Sequence, residues 1–292
     1  MNPRDPNAEA PWSLCPAFES LSADGKARLQ QELQPRSFNL GDGLCPAGLI
    51  PAEILFITAG TARLLVRDQG RLVTAEKLGP GSFVGLASLL RAAPCEEVIA
   101  STPMKVLALR DEVVLALLEV EPGFAAWCAG HLFPAELLAL LALQLEQHPR
   151  QRYGLLELLA QARPQAKLVP PDSDALAALP DDQLLFAASH NLRAHPLGGR
   201  LDRFAGVPDS QPPLPPRLIA LPAHLLEEAL PVLEPELLDE TVTGGHTASG
   251  PALASALDLG QRDRTALQLL RGTGPLEETL ACFQMLAAEL KL

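Results

Sequence analysis

The stretch LGPGSFVGLASLLRAAPCEEVIASTPMKVLAL, residues 78–109, decides the fold of this chain. Glycines at 79, 81 and 85 mark turns, LASLL is a short helix, and VIA and MKVLAL return as apolar strands. This is the layout of a phosphate cassette inside a small β-barrel, where the first amides of a short helix hold an anion. The charged residues that would neutralise a phosphate are missing, so we expect the cassette to have kept its shape and lost its ligand.

Short apolar segments separated by glycine and proline surround the cassette. They predict strands at 36–40, 54–59, 61–68, 71–77, 98–101 and 104–109. An amphipathic helix is expected over 18–33, with Ser22 capping the part that Ala23 opens. After residue 109 the apolar residues recur with the spacing of a helix, and Pro122 and Pro134 interrupt this pattern.

The order and spacing of these segments over residues 18–145 resemble the cyclic nucleotide-binding domain of catabolite activator protein, kinase regulatory subunits and gated channels. The matching sequences are residues 21–66, then LGPGSFVGLASLL and VIASTPMKVLAL. The resemblance implies an α+β chain with an N-terminal β-barrel of jelly-roll type and flanking helices. A smaller, mixed α/β and Pro-rich region is expected to follow it.

In that family a glutamate accepts the ribose hydroxyl and an arginine neutralises the phosphate. Here Gly85 matches the family's glycine, but Leu86 stands where the glutamate belongs. Pro94 matches the proline, but Cys95 occupies the arginine position, and Glu96 follows it. The resemblance therefore implies a degenerate pocket that no longer binds cAMP or cGMP, formed by Gly81, Phe83, Gly85, Leu86, Ala87, Pro94, Cys95 and Glu96.

The later half resembles the cytoplasmic N-terminal region of bacterial, notably cyanobacterial, type I secretion or peptide-exporting ABC transporters. The matching segments are LLFAASHNLRAHPLGGRLD at 184–202 and PPRLIALP at 215–222. The closing LEETLACFQMLAAELKL resembles the first helix of a bacteriocin-processing cysteine peptidase domain, with Glu278 at the nucleophile's position and Cys282 as a packing cysteine. These matches imply a piece of a longer transporter, with the rest of the exporter or its peptide cargo as partner.

We accordingly expect a leader at 1–17, the nucleotide-binding-like domain at 18–145, a helical connector and linker at 146–180, and an α+β region at 181–292. Strands are predicted at 184–189 and 217–221, an extended polyproline linker at SQPPLPPR, an acidic helix at 224–240, a loop at 241–250 and a last helix at 275–292.

Composition narrows the classes of function. With 23 Lys and Arg against 35 Asp and Glu, the net charge of −12 disfavours nucleic acid and anionic lipid as partners. Five widely spaced cysteines give no zinc pattern and suit a reducing cytoplasm. No signal peptide or unbroken membrane span is visible, so we expect a cytoplasmic protein, at most attached to the inner membrane through a transporter.

No catalytic residue, metal ligand or cofactor is predicted. A thiol protease pair of Cys282 with a histidine lacks a family signature, and His190 with His195 is a poor metal pair. The function expected is a non-catalytic regulatory or substrate-docking region of an exporter, with a possible homodimer through the helices after the barrel. The alternative is a small-ligand or cyclic nucleotide sensor, and a DNA-binding regulator comes third because no basic recognition helix follows residue 150.

Overall fold

The computed structural model describes residues 11–147, 154–193 and 195–227. Two compact units divide the chain, Met1–Leu233 and Glu234–Leu292, and every described residue belongs to the first. The predicted loop at 241–250, the last helix at 275–292, Cys282 and most of the acidic helix lie outside the described residues.

Two four-stranded antiparallel sheets form the N-terminal part. The first has the order β1-β8-β3-β6 and the second the order β2-β7-β4-β5. Their strands are β1 Gln34–Phe38, β2 Gly43–Cys45, β3 Glu53–Ala59, β4 Ala62–Asp68, β5 Arg71–Leu78, β6 Phe83–Val84, β7 Val98–Ala100 and β8 Met104–Arg110. All six predicted strands are present with slightly shifted ends, and the jelly-roll-like architecture is confirmed. The two sheets form separate ladders in the described residues, so the jelly roll has the form of a two-sheet sandwich.

Helices flank this sandwich at both ends of the domain. Pro11–Leu14 form a short 3-10 helix, followed by α1 Pro16–Glu19, α2 Ala23–Glu32, α3 Leu86–Leu90, α4 Asp111–Val120, α5 Pro122–Gly130 and α6 Pro134–Gln147. Cys15 and Ala17 are buried, so the described part of the predicted leader packs against the domain. The breaks predicted at Pro122 and Pro134 are confirmed, because each proline begins a new helix, where its missing amide costs nothing.

The helix predicted over 18–33 is interrupted. Ser20 ends α1, and Ser22 begins α2 by accepting a bond from the Gly25 amide at 2.9 Å. The backbone amide and hydroxyl of Ser22 in turn donate to Glu121 at 2.9 and 2.7 Å. The prediction of Ser22 as a cap is confirmed, and the prediction of one continuous helix is wrong because the chain turns there to meet the carboxylate before α5.

A third antiparallel sheet follows the sandwich, in the order β11-β10-β12-β9. Its elements are α7 Leu155–Ala162, β9 Lys167–Val169, α8 Ser173–Ala177, β10 Gln183–Ala187, β11 Arg200–Leu201, β12 Leu218–Pro222 and α9 His224–Glu227. Alternate residues of each strand point to opposite faces of this sheet. Phe186 and Ile219 join the large core of the sandwich and its helices, whereas Leu185 and Leu218 build a smaller core on the other face.

The segment predicted as an extended polyproline linker is not one. The backbone bends at 212–214, Leu214 is buried, and its carbonyl accepts a 2.5 Å bond from the Asn191 side chain. The apolar side chain between the prolines anchors the segment to the core. A linker needs a free backbone, and this one is held in place.

By length and composition alone, the 26 residues Pro122–Gln147 are apolar enough to cross a membrane. In the structure they form the two helices α5 and α6, with Phe124, Cys128, Leu137 and Leu141 in the core. A core helix passes the same test, so this segment gives only weak support for membrane insertion.

A buried ion pair connects the third sheet to the helices. Arg217, just before β12, pairs with Glu136 of α6, and their side chains are 4% and 0% exposed. The Arg217 guanidinium also donates to the carbonyls of Cys128 and His131 at 2.7 and 2.8 Å. Glu136 additionally accepts from the Phe133 amide at 3.0 Å, so both charged groups are well provided with partners.

Arg217→Met is expected to lower the free energy of unfolding by about 3–5 kcal/mol, because it leaves the Glu136 carboxylate buried without its cation. Urea unfolding of the full chain measures this. The double variant Arg217→Met/Glu136→Gln removes the stranded charge and should recover part of the loss. Arg36→Met, which removes an exposed 3.0 Å pair with Glu53, is the matched control and should cost less than about 1 kcal/mol. Equal losses for Arg217→Met and Arg36→Met would contradict the account.

Candidate functional site

The cassette runs from the turn at Gly81 through α3 to the start of β7. Gly81 has φ +91°, and a Cβ there would lie 2.5 Å from the Leu14 carbonyl oxygen. Gly85 has φ +90° at the N-cap of α3, and a Cβ there would lie 2.6 Å from Pro51. Only glycine suits both positions, since this backbone conformation strains other residues and neither site has room for a side chain. The backbone conformation and the close packing therefore explain both glycines without any ligand.

The start of α3 presents its amides to a carboxylate of the same chain. Glu96 is 6% exposed, and one of its oxygens accepts from the Gly85 amide at 2.9 Å. Its other oxygen accepts from the Ser88 amide at 3.0 Å and from the Ser88 hydroxyl at 2.8 Å. A short helix that begins at a glycine and offers amides to an anion is the arrangement that the resemblance assigns to a nucleotide phosphate. In this chain the anion is Glu96.

The electrostatics of the site follow from burial. Burial raises the pKa of the Glu96 carboxyl above its ordinary value, against the lowering effect of the bonds from Ser88 and Gly85. Nearby Glu136 adds a smaller upward effect. The hydrogen bonds from Ser88 and Gly85 therefore offset part of the effect of burial on the pKa of Glu96.

Cys95 supplies no charge where the family has its arginine. Burial raises the pKa of its thiol to about 12, so the group is neutral. Its sulfur lies 3.5 Å from the Ser88 hydroxyl oxygen, and its amide donates to that oxygen at 3.2 Å. Ser88 thus connects Glu96 and Cys95, and it is a site residue that our sequence analysis missed.

The one arginine of the cassette lies beside the Cys95 thiol, whose pKa it lowers against the larger effect of burial, and it also bonds to the third sheet. Arg91, at the end of α3, is 1% exposed, and its Nε donates to the Ala188 carbonyl at 2.8 Å. Its own carbonyl accepts from the His190 amide at 2.8 Å. Arg91 therefore connects the cassette to the end of β10 in the third sheet, and Glu96 keeps its place without a guanidinium among its hydrogen-bond donors.

A cavity of about 410 Å³ lies beside Glu96. Of the predicted pocket residues, Gly81, Phe83 and Glu96 line it. Leu86 and Ala87 are buried within α3, Pro94 is exposed, and Gly85 and Cys95 hold the cassette without lining the cavity. Glu76, Trp127, His131 and Arg163 also line it and were not predicted. They come from β5, α5, the following loop and the end of α7, and no local sequence pattern connects positions so far apart.

Residues 35–121 match the family described as Cyclic nucleotide-binding domain. This segment has the fold of a cyclic nucleotide-binding domain. A similar curated protein, the cAMP-dependent protein kinase regulatory subunit of Mycosarcoma maydis, is 28% identical over 139 residues, which are 48% of this chain and 24% of that protein. The chain thus spans about a quarter of that relative's length.

Two solved structures are also similar to the chain. Catabolite activator protein of Thermus thermophilus is 26% identical, with 46% of this chain and 60% of that chain covered and a TM-score of 0.35. The regulatory subunit of a cAMP-independent protein kinase A from Trypanosoma cruzi, bound to guanosine, is 17% identical, with 40% and 45% covered and a TM-score of 0.33.

The raised pKa of Glu96 has a consequence for stability. Because this pKa is higher in the folded chain than in the unfolded chain, the folded chain binds the proton more readily. The stability that this pKa shift contributes is therefore complete below the ordinary glutamate pKa of about 4.3 and is lost as the pH rises through the raised value. Glu96→Gln removes this titration.

We expect the difference in unfolding free energy, wild type minus Glu96→Gln, to increase in favour of the wild type as the pH falls from about 7 towards 4.5. Urea unfolding of both chains at a series of pH values measures it, and every other titrating group cancels in the difference. A difference that is constant, or that changes in the opposite direction, would show that Glu96 is not a buried carboxylate in solution.

Proposed function

We propose that residues 11–147 form a non-catalytic regulatory domain whose cassette holds the carboxylate of Glu96 in place of a cyclic nucleotide phosphate. The observation that carries this proposal is the set of bonds from the Gly85 amide, the Ser88 amide and the Ser88 hydroxyl to that carboxylate. A phosphate would compete for the same donors. It would also meet a buried negative charge.

The energetics favour the internal carboxylate over an added nucleotide. Hydrogen bonds to a charged group contribute about 1.5–3 kcal/mol each, and the nucleotide would have to replace those of Glu96. The family's arginine, which would repay that cost, is the neutral thiol of Cys95 here. Leu86, at the position of the family's ribose-binding glutamate, is 1% exposed inside α3 and offers no acceptor. Both polar contacts of the family are therefore missing, and the position of the phosphate is filled.

Two observations support a non-catalytic role. The curated relative is described as a regulatory subunit. Burial raises the pKa of the thiols of Cys45, Cys95 and Cys128 to about 12, so these cysteines are poor nucleophiles.

A sensor of some other small ligand is the second candidate, because the cavity beside Glu96 is open to a molecule without a phosphate. A DNA-binding regulator has less support. In the described residues α7 is followed by β9 and not by a second helix, and Arg163 at the end of α7 pairs with Glu76 at 3.0 Å. The exporter context stays a prediction whose support is the sequence resemblance at 184–202, 215–222 and 276–292.

Calorimetric titration of the full chain with cAMP, cGMP and cyclic dinucleotides should give no binding heat, because the donors of the cassette are occupied. The variant Cys95→Arg/Glu96→Ala restores the family's arginine, though not its ribose-binding glutamate, and frees the amides of Gly85 and Ser88, so it should give measurable heat with a cyclic mononucleotide. Arg36→Ala, at an exposed position of β1, is the control and should give no binding heat with these nucleotides. Micromolar binding by the wild type would refute the proposal.

A further inference from the structure

The outer face of the second sheet collects positive charge. On β4, Ala62 and Leu64 are 0% and 2% exposed and point into the core, so Arg63 between them points outward, and Arg67 follows four residues later on the same face. Lys77 of β5 lies directly opposite Arg63 in the register of the two strands and shares this face. The strand pairing thus brings together three cations that the sequence separates.

The fold supplies no partner for these cations. Within the described residues, the side chains of Arg63, Arg67 and Lys77 form no salt bridge, and the Arg63 Nε has no hydrogen-bond acceptor. Like charges directly opposite each other on a sheet, as Arg63 and Lys77 are, lower its stability. The stability of the sheet therefore gives no reason for this pair.

One carboxylate lies on the same face. Glu97 alternates with Glu96 and Val98, which are 6% and 0% exposed, so its side chain points outward. Its carbonyl accepts from the Leu65 amide at 2.8 Å, which places it beside β4. Three cations against one carboxylate leave this face positive, in a chain whose net charge is −12.

Apolar side chains lie between the charges. Leu72 is opposite Arg67, Ile99 is opposite Arg63, and Leu65 lies between the two arginines on β4. Leu72 is 47% exposed, and Leu65 and Ile99 are half-buried. A surface that combines cations with accessible apolar side chains is complementary to a peptide that carries carboxylates and an apolar residue.

The dimensions of the face favour a short extended peptide. Residues four apart on one strand, as Arg63 and Arg67 are, lie about 13 Å from each other, and neighbouring strands such as those of Arg63 and Lys77 are about 5 Å apart. Two residues four apart in an extended peptide have the same 13 Å separation. A membrane or a nucleic acid would extend beyond this face and meet the negative charge of the rest of the chain, whereas a short peptide would not.

We propose that the outer face of the second sheet docks an extended acidic peptide of a partner protein. One carboxylate of the peptide lies between Arg63 and Lys77, a second carboxylate lies at Arg67, and an apolar side chain between them contacts Leu65. Because alternate residues of an extended chain point the same way, the matching sequence is Glu-x-Leu-x-Glu. This inference goes beyond the proposed function, since the cassette takes no part in it.

Fluorescence anisotropy of three labelled peptides with the full chain tests this. The peptides contain Glu-Ser-Leu-Ser-Glu, its neutral analogue Gln-Ser-Leu-Ser-Gln, and Glu-Glu-Leu-Ser-Ser, which has the same charge at the wrong spacing. At about 50 mM salt, the first should bind about tenfold more tightly than the second, as expected for two or three exposed ion pairs, and about threefold more tightly than the third. Raising the salt to about 500 mM should remove most of the difference between the first two.

Variants locate the contact. Arg67→Gln/Lys77→Gln should weaken binding of Glu-Ser-Leu-Ser-Glu by about tenfold and leave the neutral peptide unchanged. Arg28→Gln/Lys105→Gln is the matched control and should change the affinity less than about twofold, because it removes two exposed cations from α2 and β8 and alters the net charge equally. Lys77→Gln alone relieves the repulsion from Arg63, so its urea midpoint should stay the same or rise while its affinity for the peptide falls.

Equal affinities for the three peptides, or equal effects of the two double variants, would contradict the proposal. A lower urea midpoint for Lys77→Gln would also contradict it, because the cation would then serve the fold. Wild-type binding to phosphatidylserine vesicles in place of the peptide would assign the face to a membrane, and a dimer that Arg67→Gln/Lys77→Gln dissociates would assign it to a second copy; either result overturns the proposal. None of these outcomes affects the cassette, whose hypothesis depends on the nucleotide titrations alone.

Discussion

The carboxylate of Glu96 on the first amides of α3 is the interaction on which the rest of the site depends. It accepts hydrogen bonds from the Gly85 and Ser88 amides, which would otherwise have no acceptor at the start of a buried helix. The loop from α3 to β7 is also held at Cys95, whose amide donates to the Ser88 hydroxyl at 3.2 Å. The anion position that the resemblance assigns to a phosphate is here occupied by a carboxylate of the same chain.

The same cassette is bonded to the third sheet at its other end. Arg91 donates to the carbonyl of Ala188, and His190 donates to the carbonyl of Arg91. Further along, Arg217 holds the start of β12 against α5 and α6 through Glu136. Both arginines are almost fully buried, so the sandwich and the third sheet are connected by charged groups as well as by the shared core. The cassette is therefore hydrogen-bonded directly to the residues that follow β10.

Much of the fold could be predicted because its signals are local. Strands such as β4 and β5 show apolar segments between glycines, and Pro122 and Pro134 mark helix starts by their chemistry. β6 was not predicted, because its two residues are too few to show the alternation of apolar and polar residues that indicates a strand. The hydrogen bonds of Glu96 to the start of α3 were not predicted, because no local pattern shows that its side chain reaches that helix. Its bond to Gly85 depends on how the ten intervening residues fold back. The pair of Glu76 and Arg163 is separated by 87 positions and has no sequence signal.

Hydrogen exchange of the Gly85 and Ser88 amides, followed by NMR on the full chain without nucleotide, tests the central claim most directly. The account predicts that both amides are protected in the wild type and exchange at least about tenfold faster in Glu96→Ala, while amides of β3 and β8 keep their rates in both chains. Fast exchange of both amides in the wild type, with protection appearing only when a cyclic nucleotide is added, would contradict it.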